Sequence, residues 1–304
     1  MSNLLEIIKR STPRSIKRIV PARTKEQAKI HIKTIVRWCQ GLNAESRALP
    51  DFIIAGSQKC GTTTLYTQLA QHPVVRPSLD KEIQYFSWNY YKGQDWYRSH
   101  FPVRRDDTPA SGLQHGFVTG EASPYYMFYP HAFKRIAETL PEVRIIMLLR
   151  NPVDRAYSSY QHQCNKGRET YSFEEAIRHE DERLAGESDR IRQDDRYFSY
   201  KHVHFSYLSR GIYVDQILNC FEHFSRDRVL IIESGKFFSE NPHVYGQVLD
   251  FLDLPPYNLK AYKNTNKRDY DPMLPETRYR LVEYFRPYNQ QLYQLLGESY
   301  DWDR

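Results

Sequence analysis

Lys59 and three consecutive hydroxyls, Thr62, Thr63 and Thr64, lie beside Gly56 and Gly61 in the stretch Asp51-Phe-Ile-Ile-Ala-Gly-Ser-Gln-Lys-Cys-Gly-Thr-Thr-Thr-Leu-Tyr66. One ammonium, several hydroxyls and a glycine-bounded turn are groups that bind a phosphate. The apolar run Phe52 to Ala55 reads as a buried strand ending at a glycine, and Thr62 to Leu69 reads as the first turns of a helix. A strand, a tight loop and a helix start aim unsatisfied backbone N–H groups, and the positive end of the helix, at one spot. The nucleotide triphosphatase pattern puts lysine directly after the second glycine and a Ser/Thr next, to hold Mg²⁺. Here Thr62 follows Gly61 and the lysine stands inside the loop. The loop therefore suits a phosphate neutralised by Lys59 and threonine hydroxyls, and this reading requires no magnesium.

Arg150 is a further cation at the end of a strand. It ends the apolar run Val143 to Leu149, the clearest buried parallel strand in the chain, and is followed by Asn151-Pro152 at a helix start. A guanidinium there can grip phosphate oxygens bidentately. Ser158 in that helix reads by itself as a surface hydroxyl, and Glu82 as a surface carboxylate paired with Lys81.

Three segments in order carry a resemblance. Gly56-Ser-Gln-Lys-Cys-Gly-Thr-Thr-Thr-Leu-Tyr66, Lys81-Glu-Ile-Gln-Tyr-Phe86 and Arg150-Asn-Pro-Val-Asp-Arg-Ala-Tyr-Ser-Ser-Tyr160 resemble the phosphosulfate loop, acceptor-base segment and 3′-phosphate segment of sulfotransferases that use 3′-phosphoadenosine 5′-phosphosulfate (PAPS). The likeness is closest to the carbohydrate branch, including the heparan sulfate enzymes, and its bacterial relatives. It implies an α/β fold with a P-loop-like central parallel sheet flanked by helices. It also implies transfer of a sulfuryl group from PAPS, as co-substrate and without a metal, to a hydroxyl or, second, an amine of a carbohydrate or small natural product. Glu82 would be the base and Lys59 the group on the bridging oxygen. Lys59, Cys60, Gly61, Thr62, Thr63 and Thr64 would hold the 5′-phosphate side, and Arg150 and Ser158 the 3′-phosphate. The segment Ser209-Arg-Gly-Ile-Tyr213 resembles a cofactor-side segment, which puts Arg210 near phosphate or an anionic acceptor. Lys267 and Arg268 stand where a basic late loop closes over the nucleotide, although the frequent Lys-Gly-Arg order is missing. Gly120-Glu-Ala-Ser-Pro-Tyr-Tyr126 resembles a segment near the sulfuryl group. Relatives often carry lysine where this chain has Ala122, while Ser123 and Tyr125 are placed to hydrogen-bond there and Glu121 to orient neighbours.

The chain of 304 residues holds 43 basic and 37 acidic side chains, a net +6. That excess suits an anionic co-substrate and is too modest to indicate a nucleic-acid binder. Cys39, Cys60, Cys164 and Cys220 are too far apart for a zinc knuckle or a disulfide scaffold. No apolar run has the length of a membrane span and no signal core opens the chain, so it reads as a cytoplasmic enzyme of a bacterium. Residues 1–49 read as a basic, helix-prone arm cut by Pro13 and Pro21, with a possible subunit contact, and residues 50–304 as one catalytic domain.

The positioning elements follow in order. Ile83 to Phe86 is expected as a second strand with Glu82 at its cleft end. Trp88, Tyr90, Tyr91, Trp96 and Tyr97 either stack on an acceptor or pack a helix, and residues 102–116 read as a loop beside the cleft. Phe173 to Leu184 reads as one helix and Gly186 to Asp195 as an exposed polar connector. His202 and His204 have metal-ligand chemistry without a clear third ligand. Val229 to Ile232 returns as a strand, and Pro275 to Leu296 as a helix that Pro287 kinks or divides. Two other readings stay open: a Mg²⁺-dependent P-loop kinase or triphosphatase, and a carbohydrate-binding protein without activity.

Overall fold

The computed structural model describes residues 33, 34, 36, 37, 40–104, 116–262 and 271–302. Five strands form one parallel sheet in the order β2-β3-β1-β4-β5. They are β1 Phe52–Gly56, β2 Val75–Pro77, β3 Val118–Ala122, β4 Arg144–Leu149 and β5 Val229–Glu233. Alternation along the central strands splits the core. Ile53, Ala55, Ile145, Met147 and Leu149 face one side, and Phe52, Ile54, Ile146 and Leu148 the other. Both faces are thus apolar, as a parallel sheet between helical layers requires.

Helix α1 (Thr62–Leu69) and helix α5 (Asn241–Phe251) cover one face through Leu65, Leu69, Val244 and Val248. The other face takes α2 (Ala132–Thr139) and α4 (Tyr213–Phe221) through Phe133, Ile136, Val214 and Ile217. Between α2 and α4, helix α3 (Pro152–Asn165) packs on α6 (Pro275–Leu296) through Val153, Ala156, Leu281 and Phe285. Pro287 lies inside α6 without dividing it. The expected α/β architecture is present, and the chain reverses direction across the sheet at β1, between β3 and β4. In such sheets ligands bind beyond the carboxyl ends of the strands at that switch point.

Several elements differ from expectation. Ile83 to Phe86 is irregular, and the edge strand is Val75–Pro77. The N–H groups of Ile83, Gln84 and Phe86 are taken by side chains, Glu121, Ser123 and Tyr126, instead of by a neighbouring strand. Gln84 also has φ 56°, outside the extended region. The region 173–184 is two short helices that meet at His179. The polar connector contains a helix, Glu187–Gln193, because Ile191 is fully buried and Glu187 accepts hydrogen bonds from Ser199 Oγ at 2.5 Å and Tyr197 OH at 2.7 Å.

Across the proposed boundary at residue 49 the chain is packed down. Ala44, Arg47 and Ala48 are buried, and Arg47 Nη1 donates to Phe101 O at 2.6 Å. Residues 1–32, the greater part of the 102–116 loop, and Lys267 with Arg268 lie outside the described residues. Among the described residues no helix is long and apolar enough to cross a membrane, and Cys60, Cys164 and Cys220 are free thiols.

Candidate active site

At the carboxyl edge of the sheet lies a cleft of about 730 Å³, within the range of small-molecule sites. The loop after β1 forms its floor. Lys59 and Gly61 both have left-handed backbones, φ 73° and 99°, and together they fold the loop so that it runs into α1. The turn is fixed from below, since Ser57 N donates to Leu148 O at 2.7 Å and Ser234 Oγ donates to Cys60 O. A side chain at Gly61 would set its Cβ 2.9 Å from the Phe238 ring, so glycine answers both a conformational and a steric demand. A lysine with positive φ costs of order 1–3 kcal/mol, and such strain clusters at functional sites.

Lys59, Gly61, Thr62, Thr63 and Thr64 line the cleft. Cys60 does not. Its thiol is turned into the core, 4.0 Å from Tyr213 OH, where burial pushes its pKa up. Cys60, expected among the residues on the 5′-phosphate side, therefore does not line the cleft.

On the far wall, Arg150 leaves the end of β4 and Asn151 caps α3, its Oδ1 accepting from Val153 N at 2.9 Å. Pro152 at the first position of α3 needs no hydrogen-bond partner for its nitrogen. Tyr213 OH donates to Arg150 O at 2.9 Å and pins the strand end. Arg150 and Ser158 both line the cleft. Gln161 and His162 do too, one turn beyond Ser158 on the same helical face. These two were missed, yet the i+3 and i+4 spacing from Ser158 announces them. Asp154, on the same stripe, is held in an ion pair with Arg278 of α6.

Glu82 lines the cleft as well, as does Pro124. It forms an ion pair with Lys81 at 2.8 Å, and its side chain is 46% exposed. The pairing read from its neighbours and a place at the cleft are both realised in one side chain.

Arg210, expected near phosphate or an anionic acceptor, does not line the cleft. It is buried behind the loop, donating from Nη1 to Gln58 Oε1 at 2.8 Å and from Nη2 to His202 O at 2.8 Å. The rings of Tyr125 and Phe128 cover its guanidinium, and burial lowers its pKa to about 10. Its contact with the cleft is indirect, through Gln58, which lines it. Nothing in the local sequence distinguishes such a buried arginine from a ligand-facing one.

Ser123 and Tyr125 also turn away from the cleft. Ser123 Oγ donates to Glu121 Oε2 at 2.6 Å, and Tyr125 OH lies 2.6 Å from His202 Nδ1. His202 stacks on Phe128, and burial first, then Arg210, lower its pKa to about 3. Among the described residues no group of three or more His, Cys, Asp or Glu side chains is placed to hold a metal ion. Of the aromatic cluster, Tyr97 is fully buried and stacked on Tyr85, and Tyr90 lies under the Arg135 guanidinium. These two rings pack the domain, whereas Tyr91 is exposed.

Asp301 and Trp302 also line the cleft, a contribution no local signal foretold. Trp302 is buried against Tyr213, Tyr293 and Tyr300, and its carbonyl accepts from Asn151 Nδ2 at 3.1 Å. Its indole also approaches Glu233 Oε1, at 3.4 Å.

In sum the cleft offers a helix N-terminus with threonine hydroxyls, a lysine in the loop, an arginine on the far wall and a carboxylate on the rim. Such a set can hold two separated phosphates and take a proton between them and solvent. Comparison with known proteins gives the family. The family described as "Sulfotransferase domain" matches residues 49–273. The "Membrane-associated sulfotransferase kil1" of Dictyostelium discoideum is 26% identical over 91% of this chain and 72% of its own length. The "Bifunctional heparan sulfate N-deacetylase/N-sulfotransferase 1" of Caenorhabditis elegans is 31% identical over 73% of this chain. This chain spans only 24% of that relative's length. The crystal structure of a sulfotransferase from Alicyclobacillus acidocaldarius superposes with a TM-score of 0.63 at 30% identity, over 84% of this chain and 100% of the other.

Proposed function

The chain belongs to the sulfotransferase family, and on that premise we propose that it moves the sulfuryl group of PAPS onto a hydroxyl of a carbohydrate or small natural product, with an amine as the second choice of acceptor. The heparan sulfate relatives support the carbohydrate branch. The single observation that carries the residue roles is that Lys59, Thr62 to Thr64, Glu82, Arg150 and Ser158 line one cleft at the switch point of the sheet. Residues 50–304 are proposed as the catalytic domain and 1–49 as an arm upon it.

In this reading Thr62, Thr63, Thr64 and the first N–H groups of α1 hold the 5′-phosphate. Arg150 and Ser158 hold the 3′-phosphate, which sets PAPS apart from nucleotides without one. Glu82 takes the acceptor proton as the acceptor oxygen bonds to sulfur. The bond from sulfur to the bridging oxygen breaks in line, and Lys59 neutralises the charge gathering on that oxygen. The products are the sulfate ester, 3′,5′-adenosine bisphosphate and the proton on Glu82. No covalent enzyme intermediate is needed, because positioning and electrostatics supply the catalysis.

Incubation with PAPS and a panel of N-desulfated heparan sulfate oligosaccharides, neutral sugars and phenols tests the acceptor class. Bisphosphate release matched by sulfate on a glycan supports the reading, and transfer confined to phenols moves the protein out of the carbohydrate branch.

A further inference from the structure

Behind the rim that carries Glu82 lies a carboxylate to which neither the reaction nor the co-substrate gives a task. Glu121, on β3, is fully buried and is surrounded by donors. Tyr97 OH reaches its Oε1 at 2.7 Å, and Tyr126 OH the same oxygen at 3.1 Å. Ser123 Oγ reaches Oε2 at 2.6 Å, and the Ile83 backbone N–H completes the set at 3.4 Å. Four donors on two oxygens call for a group that only accepts, which is an ionised carboxylate.

One of these contacts acts on the segment that presents Glu82, and a second bond reaches that segment through Ser123. Ile83, the next residue, is tied to Glu121, and Gln84 N donates to the Ser123 oxygen at 3.2 Å. On the other side of Glu82, the Lys81 carbonyl accepts from Ala122 N at 2.9 Å. Residues 81, 83 and 84 are therefore fastened to consecutive residues 122, 121 and 123 at the end of β3. Glu82 lies between these tied residues and lines the cleft, its carboxylate paired with Lys81.

We propose that Glu121 is a positioning residue, whose carboxylate clamps the 81–84 segment through Ile83 and through Ser123 and so holds Glu82 at the reacting position. The proposal rests on the assignment of Glu82 as the base. Small displacements of a proton acceptor carry large rate costs, so the effect belongs in kcat and not in donor binding, which the opposite wall provides.

Burial pushes Glu121 up to about 7 against the pull of its hydrogen bonds from Ser123, Tyr97, Tyr126 and Ile83. The titratable groups facing it are Tyr97 and Tyr126, with Tyr66 of α1 farther off, and burial raises all three phenols, so they stay donors. Because the folded-state value lies above the ordinary one, folding holds an extra proton between roughly pH 4.5 and 7. The stability this supplies is full below that window and lost as pH rises through it. The clamp responds in the opposite sense, since a proton on Glu121 adds a donor among donors.

The test compares wild type with Glu121→Gln, Ser123→Ala, Glu82→Gln and the Glu82→Gln/Glu121→Gln double variant. Turnover is read with the fastest acceptor of the panel, and 3′,5′-adenosine bisphosphate affinity by calorimetry. Glu121→Gln is expected to lower kcat by at least about tenfold with bisphosphate affinity within about twofold of wild type, and to abolish the acid limb of kcat near pH 7. The double variant is expected to be no slower than Glu82→Gln, because both act through one group. Amide exchange at Ile83 and Gln84, which needs no acceptor, is expected to quicken at least about tenfold in Glu121→Gln. A normal kcat in Glu121→Gln alongside an inactive Glu82→Gln overturns the clamp and spares the base. A fully active Glu82→Gln removes the base and the clamp together. Should Glu121→Gln fail to fold, Ser123→Ala decides: a loss in kcat with unchanged KM supports the clamp, and an unchanged kcat overturns it.

Discussion

Glu82→Gln removes turnover, with a fall of roughly 10²–10⁴-fold, the range set by loss of a positioned general base. Glutamine keeps the length and planarity of the side chain, so the cleft keeps its shape and only the capacity to take a proton is lost. The ion pair with Lys81 at 2.8 Å is lost as well, yet that pair is half-exposed and contributes little to stability. Binding of 3′,5′-adenosine bisphosphate is expected within about twofold of wild type, because Arg150, Ser158 and α1 are untouched. Steady-state assays paired with calorimetry separate the two quantities. Near-normal turnover in the variant would return Glu82 to the role its neighbours suggest, a rim carboxylate paired with a lysine.

Lys59→Ala carries the second large effect, a loss of roughly 10²–10³-fold in turnover at saturating PAPS, as for removal of one group aimed at developing charge. The ammonium is worth more as the bridging oxygen gains charge than in the bound ground state, so raising the donor concentration does not restore the rate. Alanine is the informative substitution because, like lysine, it bears the cost of the left-handed backbone at φ 73°. The change then reports the ammonium and not the loop. Single-turnover rates at saturating donor check it, and an unchanged rate would make Lys59 a ground-state contact only.

Much of this site was legible before any coordinates. The strand, glycine loop and helix around Lys59 announce themselves through an apolar run, a turn and a polar start, and the helix occupies Thr62–Leu69 as read. Arg150 stands at the end of an apolar strand in the sequence, but its assignment to the 3′-phosphate comes from the resemblance and not from that placement. What could not be read depends on partners distant in the chain. Ile83 to Phe86 has strand composition but gives its N–H groups to Glu121, Ser123 and Tyr126. Arg210 has the composition of a ligand but is enclosed by Tyr125, Phe128 and the His202 carbonyl. Trp302 reaches the cleft only because the tail folds back onto Asn151. Gln161 and His162 are a different case: they were missed, although helical spacing from Ser158 would have found them.

The central claim is that this cleft holds a nucleotide carrying both a 5′- and a 3′-phosphate, and titration calorimetry tests it most directly. 3′,5′-Adenosine bisphosphate, ATP and AMP are titrated into wild type and Arg150→Ala, each with and without Mg²⁺. The account predicts metal-independent preference for the bisphosphate, weakened in Arg150→Ala by roughly 1.5–3 kcal/mol, or about 10–150-fold in Kd, as for hydrogen bonds to a charged group. Binding of ATP with Mg²⁺ in place of the bisphosphate, or bisphosphate binding indifferent to Arg150, would contradict it.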